Sequence, residues 1–162
     1  MNYRKDEKKI RPCLWFDNQA EEAVKFYTSI FRDSKIEGVG YYGKEGFDIH
    51  HQKEGTVLTI EFEINGQSLT ALNGGSAFQF NESISLQVFC DSQQEIDYYW
   101  DKLTGDGGEE SYCGWLKDKY GLSWQIVPSI LSELMKDPVK AEKIMSVFME
   151  MRKFDLEKIK NA

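Results

Sequence analysis

The sequence predicts an α+β fold of two βαβββ modules, with helices following at the C-terminal end. Three observations lead to this prediction. An apolar strand, an aspartate and an amphipathic helix occur in the same order twice. Each copy continues into three further strands that end in a hairpin, and the residues after Pro128 have a helical pattern. Together these features indicate an internal duplication.

The two strand–helix copies align on their aspartates. Residues 12–31 read PCLWFDNQAEEAVKFYTSIF, and residues 84–103 read ISLQVFCDSQQEIDYYWDKL. Placing Asp17 on Asp91, with one gap, pairs the apolar positions of the two helices. In the first helix these positions have the i, i+3, i+4, i+7 spacing of a buried stripe: Ala23, Phe26, Tyr27 and Ile30.

Alternating apolar residues predict three further strands in each module. In the first module they cover 35–42, 57–63 and 68–72, and in the second 109–112, 115–118 and 123–127. Asn65-Gly66 separates the last two strands of the first module and is a strong hairpin indicator. Gly121 marks the corresponding turn in the second module.

The chain therefore divides into a tail at 1–9, a two-module domain at 10–128 (modules 10–75 and 83–128) and a helical segment at 129–162. The tail is charged and lacks the apolar stretch of a signal peptide. The helical segment is predicted to break at Pro138 and then to continue through 139–159. Its apolar stripe contains Ile144, Val147, Phe148 and Met151, and either packs on the protein's own sheet or forms a subunit contact.

Composition excludes several classes of partner. The chain has 162 residues, a formal net charge of -7 and a pI of about 4.9, so we expect neither nucleic acid nor an anionic membrane as partner. No apolar run approaches the ~20 residues of a membrane span. Three cysteines without a CxxC pair argue against a disulfide framework or structural zinc and favour the cytoplasm: Cys13, Cys90 and Cys113.

Four stretches of the chain carry a family resemblance: PCLWFDNQAEEAVKFY, LTALNGG, CDSQQEIDYYWDKL and GGEESYCGWLKDKYGLSWQIVP. They resemble the PhnB-like branch of the glyoxalase/bleomycin-resistance, or vicinal oxygen chelate, superfamily, whose members are often labelled 3-demethylubiquinone-9 3-methyltransferase. The resemblance covers roughly 10–155. It implies that the two βαβββ modules form paired mixed sheets around one cleft and that the protein is a homodimer.

The resemblance also identifies the positions where metal-dependent superfamily members place their ligands. Here those positions hold Arg11 and Thr70 in the first module, and Ser85 and Gln125 in the second. A divalent ion prefers carboxylate, imidazole or thiolate ligands, and these four side chains offer none. A register shift of one residue would bring in Cys13 or Glu61 but no full set. We therefore predict that these positions bind no metal, and we expect no cofactor.

Strand alternation predicts which side chains line the cleft. Even positions of the first strand should pack under a helix, while Arg11, Cys13 and Trp15 should face the cleft. The same parity in the second module selects Gln87, Phe89, Trp115, Lys117 and Gln125. Aromatic walls with a few polar groups are typical of a pocket for a small molecule. The same aromatic residues would also suit a core between the modules.

Two functions agree with these residues. The first is a binding protein that sequesters a small hydrophobic or aromatic molecule without a metal. The second is a metal-free enzyme that uses Cys13, Cys113, Lys117 or Arg11, although no adjacent acid–base pair is visible in the sequence. A methyltransferase, as the family label says, is a third alternative, but residues 72–75 (LNGG) predict a turn rather than a cofactor-binding loop. Residues 41–56, which include His50 and His51, are predicted to form a mobile loop that closes over the cleft.

Overall fold

The computed structural model describes residues 10–162, so the predicted tail at 1–9 lies outside the described residues. The chain divides into two compact units, the first ending at Gln79 and the second beginning at Phe80. In the part of the chain that the structure describes, no helix is long and apolar enough to cross a membrane.

The first unit is a four-stranded mixed sheet with one helix packed on it. Its strands are β1 (Cys13–Phe16), β2 (Lys35–Tyr41), β3 (Val57–Ile64) and β4 (Gln67–Asn73), and its helices are α1 (Ala20–Ile30) and the short α2 (Phe47–His50). The strand order is β1-β4-β3-β2, with β1 parallel to β4 and the other pairs antiparallel. Helix α1 packs on β3 and β4.

The second unit repeats this arrangement. Its strands are β5 (Leu86–Cys90), β6 (Glu109–Glu110), β7 (Trp115–Lys117) and β8 (Ser123–Pro128), and its first helix is α3 (Gln93–Thr104). The order β5-β8-β7-β6, with only β5 and β8 parallel, is that of the first sheet. The predicted α+β class with two βαβββ modules is therefore confirmed.

The helical stripes bury equivalent positions, as the alignment of the copies predicts. Ala23, Tyr27 and Ile30 of α1 are buried, whereas Phe26 of the predicted stripe is only half-buried. Ile96, Trp100 and Leu103 of α3 are buried as well. The sheet sides beneath the helices are apolar and buried as well, including Leu14, Phe16, Leu69, Ala71, Trp124 and Ile126. Each unit therefore has its own hydrophobic core between one helix and one sheet.

The two helices begin differently. Ser92 caps α3 by accepting a hydrogen bond from the Glu95 amide at 3.2 Å, while the Glu95 carboxylate accepts one from the Asp91 amide at 2.7 Å. Helix α1 has no side-chain cap from its own N-cap residue. Instead Oδ1 of Asn73, at the end of β4, accepts from the Ala20 amide at 2.9 Å. A tertiary contact thus satisfies an N–H that a local cap normally satisfies.

The two hairpins also have different turns. Asn65 and Gly66 both have positive φ, at 46° and 75°, which is the type I′ geometry predicted for Asn-Gly. The β7–β8 turn is organised around the buried Asp118. Its Oδ1 accepts from the amides of Tyr120 and Leu122, at 2.9 and 3.1 Å, and its Oδ2 accepts from Nε1 of Trp124 at 2.8 Å.

The predicted continuous helix over 139–159 is wrong. The structure has α4 (Leu131–Leu134), α5 (Pro138–Phe148) and α6 (Leu156–Lys160), and Pro138 begins a helix capped by Asp137 rather than breaking one. The helix ends at Phe148, and the carbonyl groups of Met151 and Arg152 accept hydrogen bonds from residues outside the helical segment. The Cys113 and Gly114 amides donate to the carbonyls of Met151 and Arg152, at 2.7 and 2.8 Å.

Packing explains the same interruption. Gly114 has a φ of +78°, and a Cβ atom there would lie 2.5 Å from the ring of Phe154. Because Gly114 has no side chain, the ring of Phe154 can pack against its backbone and is buried in the core of the second unit. Residues 149–155, called here the C-terminal strap, therefore complete the second unit.

Replacement of Asp118 by Ala should lower the free energy of unfolding by about 3 kcal/mol, because three buried donors lose their acceptor. Urea denaturation measures this change. Asp101→Ala is the matched control, since Asp101 is exposed and only 3.6 Å from Lys153 Nζ, a surface ion pair worth at most about 1 kcal/mol. Equal losses in the two variants would contradict the role assigned to Asp118.

Candidate functional site

The exposed face of the first sheet carries the predicted residues Cys13 and Trp15. They alternate with the buried Leu14 and Phe16 along β1, and lie beside Thr70 and Leu72 of β4. Arg11, just before β1, has its Nη1 atom 3.7 Å from Oε2 of Glu61. The guanidinium is therefore partly neutralised by a carboxylate of the same unit.

Trp15 is held by the glycine turn after β4. Its indole Nε1 donates to the carbonyl of Gly75 at 2.7 Å, and its ring meets Phe78 edge-on with centroids 4.9 Å apart. A Cβ atom at Gly74 would lie 2.3 Å from this ring, so only glycine fits there. Of the predicted turn at 72–75, residues 72 and 73 belong to β4 and the glycines follow it, while the turn itself lies at 76–77. Trp15 is half-buried against the glycines.

The thiol of Cys13 is not activated. Its environment raises the pKa of the Cys13 thiol above its ordinary value because burial disfavours the charged thiolate. Burial also raises the pKa of Cys90 to about 12, with the nearby carboxylates of Glu95 and Asp91 contributing. Both residues therefore remain thiols near neutral pH, which makes them poor nucleophiles.

In the second unit, three polar side chains on the exposed sheet face form one hydrogen-bonded chain. Gln87 of β5 lies opposite Gln125 of β8, and its Nε2 donates to Oε1 of Gln125 at 3.2 Å. Nε2 of Gln125 in turn donates to Oγ of Ser85 at 2.7 Å. The predicted Gln87 and Gln125 are thus brought together, with their amide orientations fixed by each other.

Three other predicted residues lie on this face. Trp115 is paired with Gln125 across β7 and β8, and Lys117 is paired with Ser123. Phe89, two residues beyond Gln87, is 62% exposed. The Lys117 ammonium forms an ion pair with Glu82, which raises the pKa of Lys117 and lowers that of Glu82. Lys117 is therefore protonated at neutral pH.

A cavity of about 430 Å³ lies at the β6–β7 side of this face. Its volume is within the range of small-molecule pockets. The lining combines aromatic, acidic and small polar groups: Glu82, Glu109, Glu110, Ser111, Tyr112, Cys113, Trp115, Leu116, Lys117 and Ser123. Two of the predicted binding residues, Trp115 and Lys117, therefore belong to one cavity.

The cavity includes residues that sequence reasoning did not select. Glu109 lies opposite Lys117 in the β6–β7 pairing, so the strand register could have identified it. Glu82 precedes β5 in a loop, where no periodic pattern indicates which way a side chain faces. Tyr112 is brought to the cavity by the turn between β6 and β7.

Three of the four predicted metal-ligand positions take part in other interactions. Ser85 and Gln125 are hydrogen-bonded to each other, and Arg11 lies near Glu61. Within residues 10–162, no group of three or more His, Cys, Asp or Glu side chains could hold a metal ion. The donor set at these positions, a cation and neutral hydroxyl and amide groups, does not suit a divalent ion.

The segment 41–56, predicted as a loop, contains the short helix α2. His50 Nδ1 accepts from the Gln52 amide at 2.9 Å, its Nε2 lies 3.1 Å from the Glu45 carbonyl, and its ring contacts Tyr42. His51 follows with a positive φ of 54°. The histidines thus serve local structure in the first unit, and the predicted loop closure remains a prediction.

Comparison with known proteins identifies similar sequences and folds. A family model described as 3-demethylubiquinone-9 3-methyltransferase matches residues 8–127. A solved structure from Bacillus cereus, described as a putative 3-demethylubiquinone-9 3-methyltransferase, PhnB protein, is 37% identical. The similarity covers 75% of this chain and 99% of that chain, with a TM-score of 0.65. No curated protein matches the sequence.

More distant structures share the fold. The fosfomycin resistance protein FosX from Listeria monocytogenes is 15% identical, with a TM-score of 0.56 and coverage of 82% of this chain and 99% of that one. Protein PA1353 from Pseudomonas aeruginosa is 17% identical, with a TM-score of 0.59 and coverage of 75% and 98%. The predicted resemblance to the PhnB-like branch is confirmed.

Elemental analysis of the purified protein should find no stoichiometric zinc, nickel, iron or manganese, because the four ligand positions lack anionic donors. The matched variant is Gln125→Ala, which removes one side chain from these positions and should leave the metal content unchanged. One metal ion per chain, lost in Gln125→Ala, would overturn this prediction.

Proposed function

Because this chain belongs to the 3-demethylubiquinone-9 3-methyltransferase family, with PhnB-like relatives, we propose that it binds a small hydrophobic or aromatic molecule without a metal. The observation that carries the proposal is the cavity of about 430 Å³ beside Trp115 in the second unit. An indole wall supplies apolar contact area, and nearby polar groups orient a ligand.

The hydrogen-bonded chain on the same sheet face supports this proposal. Gln87, Gln125 and Ser85 hold one another in place, so their remaining donors and acceptors have fixed directions. Phe89, 62% exposed, adds an aromatic surface next to Gln87. Prearranged polar groups beside exposed aromatic rings reduce the side-chain entropy that the protein loses on binding a ligand.

The alternative of a metal-free enzyme has less support. Catalysis would need an activated nucleophile or base, but the thiol pKa of Cys13 is raised and Lys117 is ion-paired and protonated. Cys113 lines the cavity, and its Sγ lies 3.9 Å from the Phe148 carbonyl and 3.7 Å from Sδ of Met149. Neither neighbour is a base that could remove the thiol proton.

The activity named in the family description also lacks a supporting arrangement. The glycines at 74 and 75 are followed by a turn and then β5, not by a helix that could receive a phosphate-containing cofactor. Both sheets are mixed and four-stranded rather than parallel and doubly wound. These features support a binding role over the Rossmann-type methyltransferase alternative.

We propose that the protein works in the cytoplasm as a homodimer. Cys13, Cys90 and Cys113 are all free thiols, which suits a reducing compartment. On the C-terminal helical segment, Val139 is 71% exposed, Met145 45% and Met149 57%. Such apolar side chains gain stability when a second copy covers them, and methionines adapt well to a partner surface.

The binding proposal is tested by tryptophan fluorescence with a library of neutral aromatic compounds. Binding in the cavity should change the emission of Trp115, and Trp115→Ala should weaken affinity about tenfold or more by removing the indole wall. Trp15→Phe is the matched control, because Trp15 belongs to the other unit, and it should leave the Trp115 response in place. A library that produces no response would refute the proposal.

The dimer is tested by sedimentation velocity, which should give twice the 18.8 kDa chain mass. Met145→Asp should shift the protein toward monomer, since it places a charge on the apolar surface. Ser146→Asp, at a neighbouring exposed position, introduces the same charge and should not. A wild-type protein that stays monomeric at high concentration would rule the dimer out.

A further inference from the structure

The charge of the cavity in the second unit is not balanced. Three carboxylates line it, from Glu82, Glu109 and Glu110, against the single ammonium of Lys117. Two of these carboxylates have partners: Glu82 is paired with Lys117, and Glu110 accepts from Trp100 Nε1 at 2.8 Å and lies 3.9 Å from Arg152 Nη1. The carboxylate of Glu109 has no ion pair within 4.0 Å among residues 10–162, and it interacts only at longer range with the Lys117 ammonium, which is paired with Glu82.

Glu109 lies on the same face of the sheet as Trp115, the aromatic wall of the cavity. Glu109 lies opposite Lys117 in the sheet, and Lys117 is on the same face as Trp115. Glu110, the next residue, pairs with the buried Leu116 and reaches Trp100 of α3 on the opposite side. The Glu109 carboxylate and the indole ring of Trp115 are thus on one side of the sheet.

Tyr112 adds a second ring to the cavity. The Arg152 guanidinium lies over this ring, 5.3 Å from its centroid, so the aromatic surface already accepts one cation from the protein itself. Aromatic faces carry negative electrostatic potential and attract ammonium groups, most strongly in the case of tryptophan. A carboxylate and aromatic faces in the same cavity both favour a positively charged ligand.

Resting on the proposed binding function, we propose that this cavity selects molecules with an aromatic body and a protonated amine or quaternary ammonium group. The aromatic body lies against Trp115, and the cation lies near the Glu109 carboxylate. An anionic ligand would be repelled by the carboxylates of the cavity. It would gain little from the ammonium of Lys117, because Glu82 already neutralises that group. The net charge of -7 on the whole chain raises the local concentration of cations in the same direction.

Three indole compounds that differ mainly in charge test this selection: tryptamine, indole-3-ethanol and indole-3-acetate. Isothermal titration calorimetry should show tryptamine binding roughly two- to fivefold more tightly than the neutral alcohol, the scale of one exposed cation–π or charge contact. Indole-3-acetate should be the weakest. The preference for tryptamine should decrease as the ionic strength increases.

Three variants at the cavity and one control on α5 separate the effect of charge from the effect of shape. Glu109→Gln should reduce the preference for tryptamine over indole-3-ethanol, while Glu142→Gln, the same charge change on an exposed face of α5, should leave that preference unchanged. Glu82→Gln leaves Lys117 without its partner and should improve indole-3-acetate relative to tryptamine. Trp115→Ala should weaken all three compounds by a similar factor.

The outcomes distinguish this inference from the proposed function. Binding of the neutral alcohol with equal or tighter binding of the acetate would overturn the charge selection and leave the binding function intact. A tryptamine preference that Glu109→Gln does not reduce would also overturn it. Failure of all three compounds to bind would reject both.

Discussion

The second unit depends on one buried charge. Asp118 is only 2% exposed, and it satisfies two backbone amides of its own turn and the indole N–H of Trp124. A carboxylate is stable in such a place only when strong donors surround it. The three donors fix the turn, and the turn fixes the register of β7 and β8. That register places Trp115 beside Gln125 and Lys117 beside Ser123. The geometry of the candidate site therefore depends on Asp118, which does not line the cavity.

The first unit solves a related problem with an uncharged side chain. Asn73, 7% exposed, accepts from the Ala20 amide at the start of α1 and donates from Nδ2 to the Val57 carbonyl at 3.1 Å. Its own carbonyl accepts from the Tyr42 hydroxyl at 2.6 Å. One amide thus connects β4 with α1 and β3. The two units share a topology, yet the buried polar side chains that hold them together, Asn73 and Asp118, lie at different points of it.

The sequence alone predicted those structural features that depend on residue spacing or on local turn chemistry. The stripe through Ala23, Tyr27 and Ile30 and the turn at Asn65-Gly66 follow from spacing and turn chemistry alone. In the second unit, strand parity selected Trp115, Lys117 and Gln125 because these residues lie within regular strands. It failed where tertiary contacts decide. The apolar period continues past Phe148, but the carbonyls of Met151 and Arg152 accept bonds from another part of the chain, and no helical pattern reveals that. Glu82 and Glu109 look like ordinary surface charges until the fold places them around one cavity.

Because of the C-terminal strap, neighbouring backbone amides should exchange their hydrogens with solvent at different rates. The N–H groups of Cys113 and Gly114 are bonded to Met151 and Arg152, whereas the next amide, Trp115, is bonded to Tyr112 within the loop, and Ile126 is bonded to Gly114. Hydrogen–deuterium exchange at residues 113 and 114 therefore requires detachment of the strap, while exchange at Ile126 requires opening of the sheet. These amides therefore exchange through different opening events, and a ligand that stabilises the cavity wall without contacting the strap will slow exchange at some of them and not at the others.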